Sequence, residues 1–260
     1  MKYFLSLFLI IHSAYSFTLN ESKGRGFPKN NINIYIASND CSGAGFSTNK
    51  LRSMVSDSVA KFWNKVSTAD LYLDNHGIKD DLDIDGLTHE QAINTVVPLN
   101  SIVAGCNDDA SGFNDPTILG SASIICESSS RCRSILILNS NNSALNSFST
   151  SEIEAVIAHE LGHAIGLGHS ETQHSLMYYS TGNKYQKWLG QDDIDGVTYL
   201  YPHEQEGCGF LGNMGATIKL DDKNDHNFPF SGLMILSFGA TLLLFRLLIH
   251  YREIFPIKLN

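Results

Sequence analysis

His159-Glu160-Leu161-Gly162-His163-Ala164-Ile165-Gly166-Leu167-Gly168-His169 is the stretch on which the reading of this chain turns. Residues four apart on a helix share a face, so His159 and His163 can reach one Zn²⁺ at about 2.0–2.1 Å. Glu160 lies one step round from His159, beside the position the two rings leave open, where a general base belongs. Glycine tolerates the dihedrals of a helix exit, so Gly166 lets the chain turn sharply and bring His169 back to the metal. Three imidazoles leave a fourth coordination position open, the geometry of catalytic rather than structural zinc. The competing reading is a helix whose histidines only pack. A bare H-E-x-x-H does not separate the two, but the extended pattern favours the metal.

Working outward, Ser149, Ser151, Glu152 and Glu154 form overlapping S-x-x-E capping boxes that start this helix, and Gly166 and Gly168 stop it. Ile32, Ile34 and Ile36 alternate with polar or aromatic neighbours, the period of a half-buried strand. Leu51, Val55, Val59, Phe62 and Val66 recur at helical spacing and predict an amphipathic helix of about 18 residues. Thr95-Val96-Val97 and Ile102-Val103 read as strand with a proline-bearing break. Ile118 to Cys126 and Ser134 to Leu138 are β-rich runs joined by a serine turn. Gln191 to Leu200 is a last short helix, ended by Tyr201-Pro202. The expected architecture is one α/β domain over residues 30–203, a mixed sheet on a few long helices.

Composition sets limits on the rest. The 260 residues are 43% hydrophobic and 17% charged, which suits a packed core and excludes a disordered chain. A net charge of -9 argues against a nucleic-acid partner, whose phosphates demand cations. Lys2, the apolar stretch Phe4 to Ile11 and the site Ala14-Tyr15-Ser16 have the pattern of an export signal covering residues 1–16, followed by a short segment, 17–29. Residues 230–249 form a second apolar stretch, broken only by Arg246, and twenty helical residues reach about 30 Å, one hydrocarbon thickness. Arg252 and Lys258 in the short basic tail 250–260 put that end on the cytoplasmic side and the domain outside. The alternative is a buried C-terminal helix. The polar end of the linker 204–229, Lys223 to Phe230, favours a membrane helix. Of five cysteines, Cys126 and Cys132 flank Glu-Ser-Ser-Ser-Arg between two strand-like runs, so a bridge there is one expectation. Cys41–Cys106 is the remaining guess within the domain, Cys208 is left over, and sequence alone does not fix connectivity.

The eleven-residue run reads H-E-x-x-H-x-x-G-x-x-H, the metzincin signature. Ser170 after the third histidine resembles the matrixins, the matrix-metalloproteinase type. Ser175-Leu176-Met177-Tyr178 resembles the Met-turn, whose methionine lies beneath the metal in that family. Leu189 to Gly196 resembles the final matrixin helix, in which adjacent acids, here Asp192 and Asp193, tie that helix to the Met-turn and to the beginning of the chain. A solvated helix N-terminus that favours acids is the other reading of that pair. The resemblance implies a zincin-like catalytic domain of α+β type with a twisted, mixed five-stranded sheet. It also implies one catalytic Zn²⁺ on His159, His163 and His169, Glu160 as general base, structural support from Gly166, and a protein or peptide substrate. The substrate would lie extended along an edge strand near Ile118–Ser123. Tyr179, two after Met177, stands where astacin- and serralysin-type enzymes place a tyrosine that approaches the metal, a transition-state or fifth-ligand role. Departures are clear too. No P-R-C-G-x-P-D switch is present, and the stretch between Ser16 and Ile32 is too short for a long prodomain, so latency of the family kind is not expected. No His/Asp-rich structural-zinc loop is evident. Gly207-Cys208-Gly209, the apolar stretch and Arg252 also resemble the order of bacterial sorting tails.

Other candidates carry less. Asp81-Leu82-Asp83-Ile84-Asp85-Gly86 opens like an EF-hand loop, but its twelfth position is Ala92, which leaves a Ca²⁺-binding turn or a solvated acidic loop. Asn20 and Asn141 stand in N-x-S sequons. His76, His89, His174, His203 and His226 lack ligand spacing and read as ordinary surface residues, with His174 placed to line the cleft. The expectation is an exported zinc endopeptidase, extracellular or in the cell envelope, anchored by residues 230–249. A non-catalytic, anchored zinc-binding interaction module is the alternative, and a hydrolase of non-peptide amides is a third.

Overall fold

The computed structural model describes residues 17–20, 26–109, 112–113, 115–179 and 186–203. The export signal, the linker, the apolar stretch 230–249, the basic tail, Cys208 and His226 lie outside these residues. Among the described residues no helix is long and apolar enough to cross a membrane.

Five strands form one sheet: β1 (Asn31–Ala37), β2 (Tyr72–Lys79), β3 (Ser101–Asn107), β4 (Gly120–Ser128) and β5 (Arg131–Asn139). Their order is β2-β1-β3-β5-β4. All neighbours are parallel except β4, which runs antiparallel to β5 at one edge. This is the mixed sheet expected from the sequence. Parallel neighbours need crossovers. Helix α1 (Thr48–Lys61) carries the chain from β1 to β2, and α2 (His89–Thr95) carries it from β2 to β3. A short helix, α3 (Ser143–Ser147), leads from β5 into α4 (Thr150–Ala164), and α5 (Gln191–Leu200) closes the domain.

The sheet buries both faces, as a largely parallel sheet must. On one face Ile34, Ile36, Ile102, Leu136 and Leu138 pack with Leu51, Val55 and Val59 of α1 and Ile157 and Leu161 of α4. On the other, Val103, Ile135 and Ile137 pack with Ala92 and Ile93 of α2 and with Leu82 and Ile84. Helix α1 locks α4 in place by polar bonds as well. Lys61 Nζ lies 2.6 Å from the buried Glu154 carboxylate, Ser58 Oγ donates to Glu154 O, and Trp63 Nε1 donates to Ala158 O at 2.8 Å.

Two local expectations need correction, and one strand, β2, carries no signal in the sequence. The helix expected to run through Val66 ends at Lys61 and gives way to a 3-10 turn, Trp63–Lys65. It stops there because the Trp63 indole swings wholly into the core to reach α4, while Asn64 turns away and bonds both backbone groups of Leu73. Thr95-Val96-Val97 is the end of α2 and its exit, not strand. A T-x-x-Q capping box, in which Thr88 Oγ1 accepts from Gln91 N and Gln91 Oε1 accepts from Thr88 N, starts that helix. Strand β2 has no alternating pattern because it is an edge strand bearing Asp74, Asn75, His76 and Gly77, and only Leu73 is buried.

Both disulfides expected within the domain are present, Cys41–Cys106 and Cys126–Cys132, with sequence separations of 65 and 6. The first ties the loop after β1 to the end of β3. The second joins directly paired residues of β4 and β5. Loop-closure entropy grows with the span, so replacing Cys41 and Cys106 by Ala should lower unfolding free energy by about 4 kcal/mol, and replacing Cys126 and Cys132 by about 2 kcal/mol. Urea unfolding of the two double variants checks the order.

Candidate active site

Helix α4 begins at Ser149, whose backbone N–H and hydroxyl both donate to Glu152 at 2.7 and 2.8 Å. It ends where Gly166 takes φ 111°, in the region that favours glycine. The chain then doubles back, and His169 meets the two helical histidines. Ligand nitrogens of His159, His163 and His169 lie within 4.8 Å of one another, and the Nε2 atoms of His163 and His169 are 3.2 Å apart. Two nitrogens about 2.0–2.1 Å from one tetrahedral ion stand roughly 3.3 Å apart, so the rings fit Zn²⁺. His159 Nδ1 donates to Leu176 O at 2.7 Å and His163 Nδ1 to Leu167 O at 2.8 Å. These bonds leave the Nε2 atoms free of protons and aimed inward, the usual second support of a ligating imidazole. Burial holds His163 down to about 3 and lowers His169, so both rings stay neutral and able to ligate. No second group of three or more His, Cys, Asp or Glu side chains with ligand spacing occurs among the described residues. In the Asp81–Gly86 loop Asp81 pairs with Lys79, Asp83 Oδ1 accepts from Asp85 N and Asp85 Oδ1 accepts from Asp108 N.

Glu160 lies one residue along, 7% exposed, against β4. A Cβ on Gly120 would stand 3.0 Å from Glu160 Cγ, so any larger residue there would crowd this side chain. Burial pushes the Glu160 carboxyl up to about 8. A cation on the three rings opposes that push, which couples the ionisation of Glu160 to metal loading. The triad, Glu160, Ile118–Ala122 and Tyr179 line one cleft of about 850 Å³. Tyr179 is 63% exposed, and a hydrogen bond with Tyr178 raises its pKa. His174 is not among the residues that line the cleft.

The turn beneath the triad is held by a carboxylate. Asp193 accepts from Leu176 N at 2.6 Å, Met177 N at 3.0 Å, Gly190 N at 2.7 Å and Ser175 Oγ. Burial holds its carboxyl above the usual range against the pull of these bonds. Of the two readings of the acidic pair, Asp193 therefore follows the tie to the turn, and Asp192 is buried beside it rather than solvated. Met177 rests directly under α4: a Cβ on Gly162 would fall 2.2 Å from its Sδ. Three further supports carried no signal in the sequence. Leu19 bridges to Leu167, Thr18 Oγ1 donates to His169 O, and Asn20 N donates to Gly166 O, so residues 18–20 brace the return of the third histidine. His89 is also half-buried, against the surface reading, and bonds the edge strand.

Asp193→Ala would strand the Leu176 and Gly190 N–H groups and the Ser175 hydroxyl, while Met177 N keeps Ser175 Oγ as an acceptor. At about 1–3 kcal/mol for each unsatisfied buried group, stability should fall by at least about 3 kcal/mol, and zinc affinity should fall with it because His159 loses its orienting carbonyl. Urea unfolding and a zinc titration of the variant check both.

The matrixin family profile, peptidase M10, matches residues 60–202. Similar curated proteins include metalloendoproteinase 2-MMP of Arabidopsis thaliana, 45% identical over 51 residues, which are 19% of this chain and 14% of that protein. Metalloendoproteinase 1 of Glycine max is 47% identical over 51 residues, 19% of this chain and 17% of its own length. Human matrilysin is 47% identical over 45 residues, 16% of this chain and 17% of its own length. In each case the match spans less than a fifth of the relative. The family match is broader, covering more than half of the chain, from the turn that ends α1 to the helix that anchors the Met177 turn, and on that match this protein belongs to the matrixin family.

Proposed function

We propose that this chain is a zinc-dependent metalloendopeptidase. The observation that carries the reading is the convergence of three histidine rings and one buried acidic side chain in a single open cleft beside an edge strand. The matrixin family is zinc-dependent, and the donor set fits that metal. Bound there, Zn²⁺ supplies Lewis acidity for the scissile carbonyl and acidity for the attacking water. Glu160 takes the proton from that water on its carboxylate and delivers it to the leaving nitrogen, general base and then general acid. His159, His163 and His169 would hold the metal, and the Nδ1–H groups of His159 and His163 are bonded away from it. Met177 and Asp193 keep the floor fixed, and Tyr179, on the cleft wall, is the candidate donor to the transition state or fifth ligand.

Strand β4 supports a peptide substrate over other amides. Among the described residues it is an edge of the sheet, and an extended chain can pair with its backbone. A non-catalytic binding module predicts a missing Glu160 or a blocked cleft. Glu160 is present and the cleft is open. Two disulfides support export to an oxidising compartment. The same reading takes residues 1–16 as the export signal and 230–249 as the anchor, with the catalytic domain outside the membrane.

Glu160→Gln keeps the shape and removes the base. It should bind zinc as the wild type does while chelator-sensitive peptide cleavage falls by about 10²–10⁴-fold. Near-native turnover would overturn the mechanism. His169→Ala removes a ligand instead, and zinc content after dialysis should fall. Full retention would count against the third ligand.

A further inference from the structure

Strand β4 has two faces, and the catalytic reading uses only one. Gly120, Ala122 and Ile124 face α4 and the main core. Ser121 and Ser123 are paired with Ile137 and Ile135, residues of the opposite core, where α2 packs. There the imidazole of His89 bridges both serines: Nε2 is 2.7 Å from Ser123 Oγ and Nδ1 is 3.4 Å from Ser121 Oγ. His89 is the first residue of α2, and the Thr88–Gln91 capping box fixes that end of the helix. Burial lowers its pKa, so the ring is neutral at neutral pH and offers one donor and one acceptor. Neither serine hydroxyl nor this histidine has a part in the chemistry derived above.

The backbone of β4 shows what is at stake. Leu119 O accepts from Asn139 N, so residues 119, 121 and 123 turn their backbone groups inward to β5. By the alternation of an antiparallel ladder, residues 120, 122 and 124 present theirs to the open edge. An edge strand held by one neighbour alone frays and twists readily. The serines are the inward-bonded residues, so a bridge between them prevents the strand from rotating about its own axis.

We propose that His89 is a positioning residue for substrate binding: by clamping Ser121 and Ser123 from behind, it presents the open backbone edge of β4 in one fixed orientation to an extended peptide. The proposal rests on the endopeptidase reading for the identity of the occupant, and the clamp itself can be tested apart from it. In the full chain, His89→Ala should speed amide hydrogen exchange at residues 119–125 and leave β1 and β3 unchanged. It should raise KM for an extended peptide about fivefold to tenfold, the worth of one hydrogen bond, with kcat held within about twofold. His89→Gln, whose amide can still reach one hydroxyl, should recover part of the loss. Ser123→Ala should repeat the effect with the helix intact, and it decides the matter if His89→Ala does not fold. Unchanged exchange and unchanged KM in a folded variant would overturn the clamp. Faster exchange across the whole sheet, with KM unmoved, would overturn it too and make His89 a general core residue. Absence of chelator-sensitive cleavage by the wild type would instead overturn the endopeptidase reading, and the exchange measurement would still decide whether His89 holds the strand.

Discussion

A turn of backbone has to be buried directly beneath the three converging histidine rings, and buried N–H groups must be paired. Asp193 meets that demand. One carboxylate gathers Leu176 N, Met177 N, Gly190 N and the Ser175 hydroxyl, so the turn can sit in the core with its donors satisfied. The remaining geometry follows. With Leu176 fixed, its carbonyl sets the ring of His159. With Met177 fixed, its sulfur fills the space that Gly162 leaves on α4, and the helix bearing two of the rings is pressed from below. The chain that carries Asp193 is itself held by Tyr201, whose hydroxyl donates to Ile165 O at 2.8 Å. The residue that follows α5 therefore reaches back to the exit of α4.

The third histidine poses a separate problem, because His169 stands outside any helix. It is fixed by a path rather than a scaffold. Gly166 reverses the chain, and residues 18–20 run alongside as a short antiparallel brace. Ser170 N donates to Met177 O at 2.7 Å, which joins the end of the return to the turn below. The site is thus a closed ring of local supports, in which α4, the return, the Met177 turn and α5 each hold the next.

Much of this was written in the sequence because it depends on residue identity at fixed spacing. The i, i+4 histidines, the glycine exit and the serine capping box act within a few residues of one another, so α4 and the convergence of its histidines with His169 could be read directly. Strands β1, β4 and β5 and helix α5 were legible for the same reason, through their periodicity or their end signals. What could not be read depends on partners far away in the chain. Strand β2 is an edge whose polar residues obey no alternation. Helix α1 ends early because Trp63 is needed by α4, about ninety residues later. Gly120 matters only because Glu160 lies against it, and residues 18–20 matter only because Gly166 turns back toward them. The acidic pair at 192 and 193 matched its family pattern, but the four donors that explain Asp193 become visible only when the turn is in place.

The chain has two tryptophans, and they occupy opposite environments. Trp188 is 61% exposed, whereas Trp63 has no exposed surface, bonds the backbone of α4 at Ala158 and lies against Gly162, between the two helical histidines. An indole in water emits to the red and is reached by soluble quenchers, while a sealed one emits to the blue and is not. The protein therefore carries an optical gauge of the helix that bears His159 and His163: the blue, unquenchable part of its fluorescence comes from the residue on which that helix rests, and any loosening of the helix will register there without a label.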